Sequence, residues 1–371
     1  TPGAPGPGEE DAMVVREGDL PIRAFDPAHA TEAEWAALNR FYNALQAETD
    51  PDDEPQSLDQ TQGWMLHSEP TTHRKFWVVP APGGDEIVAA GRVETWDTDD
   101  NRHLADFYIE VRPAYRRRGL ARRLLAPIAQ EVRDRGRRLL RSWTVERIPA
   151  GAGFMASLGA TLGQEGHENQ LRLAGVDRAM LARWQAQARE RAAGFEIGLW
   201  DGRYPEDQLE AIAELHHSTN LAPRGDLDEE DVIMTPQRLR EGDDANEQQG
   251  YSRWSIYARE IATGKLAGFT ELYWHPDQPT LAWQGWTAVW PQYRNKGLGR
   301  WIKAAMIEKL IAERPQVTRV RTENADSNAP MLQINYELGF RPYQRSDVWQ
   351  VPLDTVEQYL AARQAEAGRI S

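Results

Sequence analysis

One repeat constrains this chain more than anything else in it. The stretch Val111-Arg112-Pro113-Ala114-Tyr115-Arg116-Arg117-Arg118-Gly119-Leu120-Ala121 is echoed by Val289-Trp290-Pro291-Gln292-Tyr293-Arg294-Asn295-Lys296-Gly297-Leu298-Gly299. Val, Pro, Tyr, Arg, Gly and Leu recur at a single offset of 178 residues. The register extends outward, pairing Trp96 with Trp274 at 178, Glu94 with Glu271 at 177 and Leu158-Gly159 with Leu338-Gly339 at 180. Such a period is far too long for a solenoid. It indicates one domain written twice, and 371 residues divide into two halves that can each bury a core.

Each copy lies between an apolar, strand-like run and a helical run. In the second copy these are Leu281 to Val289 and Arg300 to Ile311. A glycine-bearing turn there aims successive backbone N–H groups at one point, at the positive end of a helix, which suits a pyrophosphate. Gly297 and Gly299 remove side chains where a phosphate must come close. Arg294, Lys296 and Arg300 add positive charge. A plain structural turn is the competing reading, and the repetition argues against it.

Arg-x-x-Gly-x-Gly/Ala after a strand ending in Val-x-Pro-x-Tyr resembles the acetyl-CoA loop of the GNAT N-acetyltransferase superfamily. The run from Asn324 to Phe340 resembles the same superfamily's second signature, in which Asn328 starts a helix ending in Leu338-Gly339-Phe340. Together the resemblances cover roughly residues 20 to 352. They imply an α/β fold of two tandem domains, each a mixed, mostly antiparallel sheet flanked by helices. They also imply acetyl-CoA as cofactor, held by Val289, Arg294, Asn295, Lys296, Gly297, Leu298, Gly299, Arg300, Asn324 and Asn328. The first copy offers Arg116, Arg117, Gly119, Ala121 and Arg122 for the same task.

Acetyl transfer to an amine needs a held thioester, a stabilised carbonyl oxygen, a base for the amine and an acid for the thiolate. The resemblance implies an oxyanion donor at the backbone N–H near Val289, beside a splayed strand pair that the sequence itself does not show. It also places a base five residues before the second-signature Asn, which is Glu323 here. Glu271 is the rival, and Gln284 occupies another common base position. Relatives place an acidic Tyr seven residues after the Asn. Here that position is Asn335, and Tyr336 follows it, about 100° round the helix. Either water protonates the thiolate, the favoured reading, with the Tyr336 ring packed toward the sheet, or a helix irregularity re-aims Tyr336 as the acid. The first half has no Asn between Trp143 and Gly166 and carries Met155 at the Tyr position, although Glu146 matches Glu323. It is expected to be non-catalytic.

Lys plus Arg number 43 against 57 Asp plus Glu, a formal charge of −14. An acidic chain is a poor nucleic-acid binder and can attract cationic substrates. There is no Cys, which excludes disulfides and a thiol nucleophile. The eight His show no paired metal spacing beyond His216-His217, so no metal is expected. No stretch approaches ~18 consecutive apolar residues and no signal peptide is visible, so a cytoplasmic protein without membrane contact is expected. The expected acceptor is an amine-bearing small molecule or peptide. A CoA-binding sensor or structural protein without turnover is the alternative.

The sequence divides into a Pro/Gly-rich tail over 1–20, a first domain over 21–175 closed by Gln170 to Leu173, a linker helix over 176–194, a second domain over 195–353 closed by Trp349 to Leu353, and a terminal helix over 354–371. Residues 221 to 250 form a long acidic connection broken by Pro236 and Gly242. Of three tryptophans on one strand, alternation puts Trp283 on one face and Trp286 and Trp290 on the other. They suit packing or an aromatic wall for an amine.

Overall fold

The computed structural model describes residues 20–370. The expected tail, save Leu20, lies outside the described residues. The chain runs β1 (Arg23–Phe25), α1 (Glu32–Thr49), α2 (Leu58–Leu66), β2 (Thr72–Pro80), β3 (Ile87–Trp96), β4 (Leu104–Val111), α3 (Leu120–Asp134), β5 (Leu139–Val145), α4 (Pro149–Ser157), β6 (Thr161–Gln164) and β7 (Gly166–Arg172). After α5 (Arg178–Arg191) the pattern restarts with β8 (Phe195–Asp201), α6 (Leu209–His216), α7 (Pro236–Gln248), β9 (Ser252–Glu260), β10 (Leu266–Trp274), β11 (Leu281–Val289), α8 (Leu298–Glu313), β12 (Arg319–Ala325), α9 (Ala329–Leu338), β13 (Arg341–Pro352) and α10 (Leu353–Ile370). No helix among the described residues is long and apolar enough to cross a membrane.

The strands join in one sheet of order β1-β2-β3-β4-β5-β13-β7-β12-β11-β10-β9-β8, with β6 beside β13. Neighbours are antiparallel except β4/β5 and β11/β12, which are parallel. The capping at α1 follows the sequence closely. The Thr31 side chain accepts from Glu34 N–H, and the Glu34 carboxylate accepts from Thr31 N–H, so two orphan donors are satisfied.

The two halves exchange their closing pieces. Gln170–Leu173 was expected to close the first half, but β7 pairs with β12 of the second, from Arg319↔Arg172 to Ala325↔Gly166. The last part of β13 in turn pairs with β5 of the first half, from Ser346↔Val145 to Pro352↔Leu139. The helices follow their strands. Leu181 and Ala188 of α5 are buried in the core beneath α8, so residues 176–194 complete the second lobe and are more than a linker. Val356 of α10 is buried in the core beneath α3. Each lobe is therefore finished by the other half of the sequence.

The acidic connection also differs from its expectation. Pro236 starts α7 instead of breaking it, because its fixed φ and missing N–H suit a first helical position, and the Thr235 side chain caps that helix by accepting from Arg238 N–H at 3.2 Å. Gly242 lies within α7. Residues 222–235 cross to the first lobe, where Asp226 N–H donates to Gly163 C=O and Ile233 N–H donates to Asp100 Oδ2.

Candidate active site

β11 and β12 stay paired only over Leu281↔Arg319, Ala282↔Val320 and Trp283↔Arg321. The Thr322 hydroxyl donates to the Gln284 carbonyl at 3.2 Å. Beyond that tie the strands part, although β11 continues to Val289 and β12 to Ala325. β12 leaves because β7 holds its other edge along its whole length. The wedge gives the edge of β11 free backbone groups. Trp290 N–H donates to Ala267 C=O, and Val289 stands opposite Gly268. Since N–H groups alternate sides along an antiparallel strand, those of Val289 and Thr287 point away from β10, into the wedge.

A β-bulge sharpens the opening. Thr270 pairs with Thr287 but Leu272 with Gln284, so β11 carries one extra residue at Gly285-Trp286. Bulges bend a strand and re-aim its side chains, often beside active sites. This one overturns the simple alternation read from sequence. Trp283 and Trp286 both line the cleft, whereas Trp290 packs on the cluster holding Trp200 and Tyr204.

At the mouth of the wedge the glycine loop adopts the conformation a phosphate requires. Asn295 (φ 64°) and Gly297 (φ 86°) are both left-handed. A Cβ placed on Gly297 would meet no heavy atom within 4 Å, so the space before the helix N-terminus is open to a ligand. Arg294 Nε donates to Val289 C=O at 3.1 Å, and its guanidinium has no carboxylate partner among the described residues. The cleft has a volume of about 1620 Å³, large enough for an extended nucleotide thioester. Val289, Arg294, Asn295, Gly297, Leu298, Gly299, Arg300, Glu323, Asn324 and Asn328 all line it. Lys296 lies outside that lining, with Nζ 5.7 Å from the Phe195 ring centroid. Arg300 is turned onto Glu337, at 2.9 and 3.0 Å.

Glu323 is open to the cleft, and the protein around its carboxyl desolvates it and raises its pKa above the ordinary value. Glu271 lines the same cleft but is held from behind. It is buried, its Oε1 accepts from the Tyr204 hydroxyl at 2.7 Å, and that hydroxyl also meets His216 and Ser255. The Gln284 amide donates to Thr270 Oγ1 and to the Glu271 carbonyl, so it braces the strand pair.

The two helix residues are placed differently from their expectation. Asn335 is wholly buried and donates to Asn324 Oδ1 at 2.8 Å, which fixes α9 against β12. Tyr336 does not pack on the sheet. α9 is a regular helix without a bulge, and the step of about 100° carries the ring to the outer surface, where the residue is 39% exposed. Neither residue lines the cleft. One residue there went unnoticed in the sequence. Lys303 on α8 lines the cleft, is 1% exposed and has no ion-pair partner among the described residues. Its repeat partner is Leu125, wholly buried in the first core.

The first lobe carries a second wedge and loop. β4 and β5 pair only through Asp106↔Arg141, and Arg117 (φ 61°) and Gly119 (φ 75°) repeat the left-handed turn. Arg116, Arg117, Gly119, Ala121 and Arg122 line a separate cavity of about 810 Å³. Here, however, the Arg116 guanidinium is gripped at two points by Glu48 of α1.

The acetyltransferase (GNAT) family model matches residues 38–159 and 209–340, most of both halves. The chain belongs to the GNAT family. It is similar over 90% of its length, and 98% of the other chain, to a tandem GNAT protein from the clavulanic acid biosynthesis pathway solved without acetyl-CoA, at 26% identity and a TM-score of 0.73. A GCN5-related N-acetyltransferase from Sphaerobacter thermophilus shares the fold, at 16% identity and a TM-score of 0.61 over 90% of this chain and 96% of that one. No curated protein matches. Family membership identifies the chain as an acyltransferase in kind, with two GNAT domains in tandem.

Proposed function

We propose that the second lobe transfers an acetyl group from acetyl-CoA to a primary amine by direct attack in a ternary complex. The observation that carries this reading is the convergence, in one cleft, of an open wedge at β11, a left-handed glycine loop with an Arg294 that meets no carboxylate among the described residues, and Glu323. The loop N–H groups and Arg294 hold the pyrophosphate. The inward N–H groups of Val289 and Thr287 bind the pantetheine and the thioester oxygen, whose developing charge they stabilise. Glu323 accepts the amine proton. Its pKa, raised by desolvation, makes it a better base than an ordinary carboxylate. Trp283 and Trp286 offer π faces to a cationic amine on its way in, and the net charge of −14 favours the approach of cations.

The acceptor end of the cleft is built from both halves of the chain. His167 and Val348 reach it from the exchanged strands β7 and β13, Trp143 from β5, and Ser218 and Pro223 from the segment after α6. The similarity to a protein of a natural-product pathway supports a small-molecule amine acceptor over a peptide. The first lobe, with Arg116 engaged by Glu48, serves as a scaffold without turnover. Thiol release from acetyl-CoA, followed across a panel of small amines and peptide N-termini, tests the reading. Amine-dependent release supports it, and CoA binding without release would favour a sensor.

A further inference from the structure

The reaction read into the second lobe leaves one proton unassigned. When the C–N bond forms and the C–S bond breaks, the electron pair leaves on sulfur, and the CoA thiolate needs a proton. Asn335 is sealed against Asn324 and Tyr336 faces outward, and Glu337, the acid that α9 does bring to the cleft, is an ionised partner of Arg300, so α9 presents no proton donor to the sulfur.

Lys303 is the residue in that cleft whose presence packing does not explain. Its counterpart Leu125 fills the first core as an apolar side chain. Placing an amine at the same buried position, with no counter-ion among the described residues, carries a heavy desolvation penalty. Such a cost points to function when the group borders a cleft. Lys303 lies one helical turn past Gly299, on the same face. A Cβ on Gly299 would lie 3.5 Å from Ile334 and 3.9 Å from Val289, so this face of α8 looks up into the wedge between β11 and α9. The Lys303 Nζ is 5.7 Å from the Phe340 ring centroid, at the end of α9.

We propose that Lys303 is the catalytic acid of this lobe, its ammonium giving a proton to the departing CoA sulfur. The neutral amine left behind regains a proton from water, while the acceptor's proton leaves through Glu323, so the cycle balances. This rests on the acyltransferase reading of the second lobe. Burial alone lowers the Lys303 pKa to about 7, which suits a group that must give up a proton near neutrality. The charged and titratable groups of the cleft are Glu323 of β12, Glu271 and Tyr273 of β10, Glu337 of α9 with its partner Arg300, His167 of β7, Arg191 of α5, and Tyr293 and Arg294 just before the glycine loop. β11 contributes none, and none of these is an ion-pair partner of Lys303.

The test uses the full chain with Lys303→Met and Lys303→Leu, both of which restore the apolar packing seen at Leu125. Calorimetry first establishes CoA binding to each protein, and the thiol of bound CoA is then titrated by its ultraviolet absorbance. An ammonium beside the sulfur stabilises the thiolate, so bound CoA is expected to ionise at lower pH in the wild type than in either variant. In turnover, each variant is expected to lose about 100-fold in kcat and the alkaline limb of the pH profile. If CoA binds all three proteins and its thiol titrates identically, Lys303 is not at the sulfur and the proposal fails, while the acyltransferase reading stands. If the wild type binds no CoA, that reading fails and carries this proposal with it.

Discussion

Arg116 and Glu48 form a two-point ion pair at 2.5 and 2.6 Å, whereas Arg294, at the same place in the second loop, meets no carboxylate among the described residues. The two cradles share their backbone, with Nε of each arginine tied to the carbonyl five residues before it. They differ in the charge left for a ligand. A phosphate approaching Arg116 must displace a half-buried carboxylate, and a charge-assisted bidentate pair resists that exchange. Calorimetry with CoA is expected to give one site per chain, and Glu48→Ala should strengthen binding to the first lobe. A second site of equal affinity in the wild type would contradict this.

Glu323→Gln keeps the shape of the side chain and removes its basicity. The rate is expected to fall by about 10²–10⁴. Because the base works only when ionised, the wild-type rate declines as pH drops through the raised carboxyl pKa, and the variant should lose that acid limb. A profile that keeps its acid limb would transfer the role to a bound water.

Tyr336→Phe removes a hydroxyl on the outer face of α9. The expected change in kcat is less than a factor of ten, or ~1.4 kcal/mol. A loss of ~100-fold with unchanged folding would place the ring in the cleft after all.

Lys303 also writes itself into stability. Its folded pKa is depressed to about 7, against about 10.4 for a free lysine. Between those values the unfolded chain binds a proton that the folded chain lacks, so stability rises with pH from about 7 to about 10 and is lost as pH falls back toward 7. Chemical denaturation of the wild type should show that slope. Lys303→Met should flatten it and be the more stable protein at pH 7 and below.

The strand exchange makes each half depend on the other. Leu171 on β7 is 1% exposed and belongs to the core beneath α8, though its sequence lies in the first half. Leu171→Ala should destabilise the second lobe by about 2–5 kcal/mol. Residues 195–371 expressed alone should aggregate, because β12 would present an unpaired edge and α8 an uncovered apolar face. A soluble, cooperatively folded fragment would argue that the exchange is dispensable.

Much of this architecture is legible in the residues, and the reasons it stops being legible are physical. The fixed offset and the glycine loops are local signals, since left-handed turns and helix starts are decided by a few neighbouring residues. Family and fold followed from them. Which strand β7 joins is a non-local choice, and its side chains suit either lobe, so sequence order misled. The bulge at Gly285-Trp286 shifts register by one residue and leaves no mark in an alternating apolar pattern. Lys303 could have been found by laying the two copies together, where a lysine stands against Leu125 on a buried helix face. The outward turn of Tyr336 depends on the angle at which α9 meets the sheet, and Asn335 bonding to Asn324 fixes that angle.

Two glycine variants compared in one assay, amine-dependent thiol release from acetyl-CoA, decide which lobe holds the active centre. Gly297→Trp and Gly119→Trp each put a bulky residue at a left-handed position in a loop of the same conformation, so both carry similar backbone strain. Gly297→Trp is expected to abolish CoA binding and turnover while Gly119→Trp retains both. Loss of activity in Gly119→Trp with full activity in Gly297→Trp would contradict this and move the active centre to the first lobe.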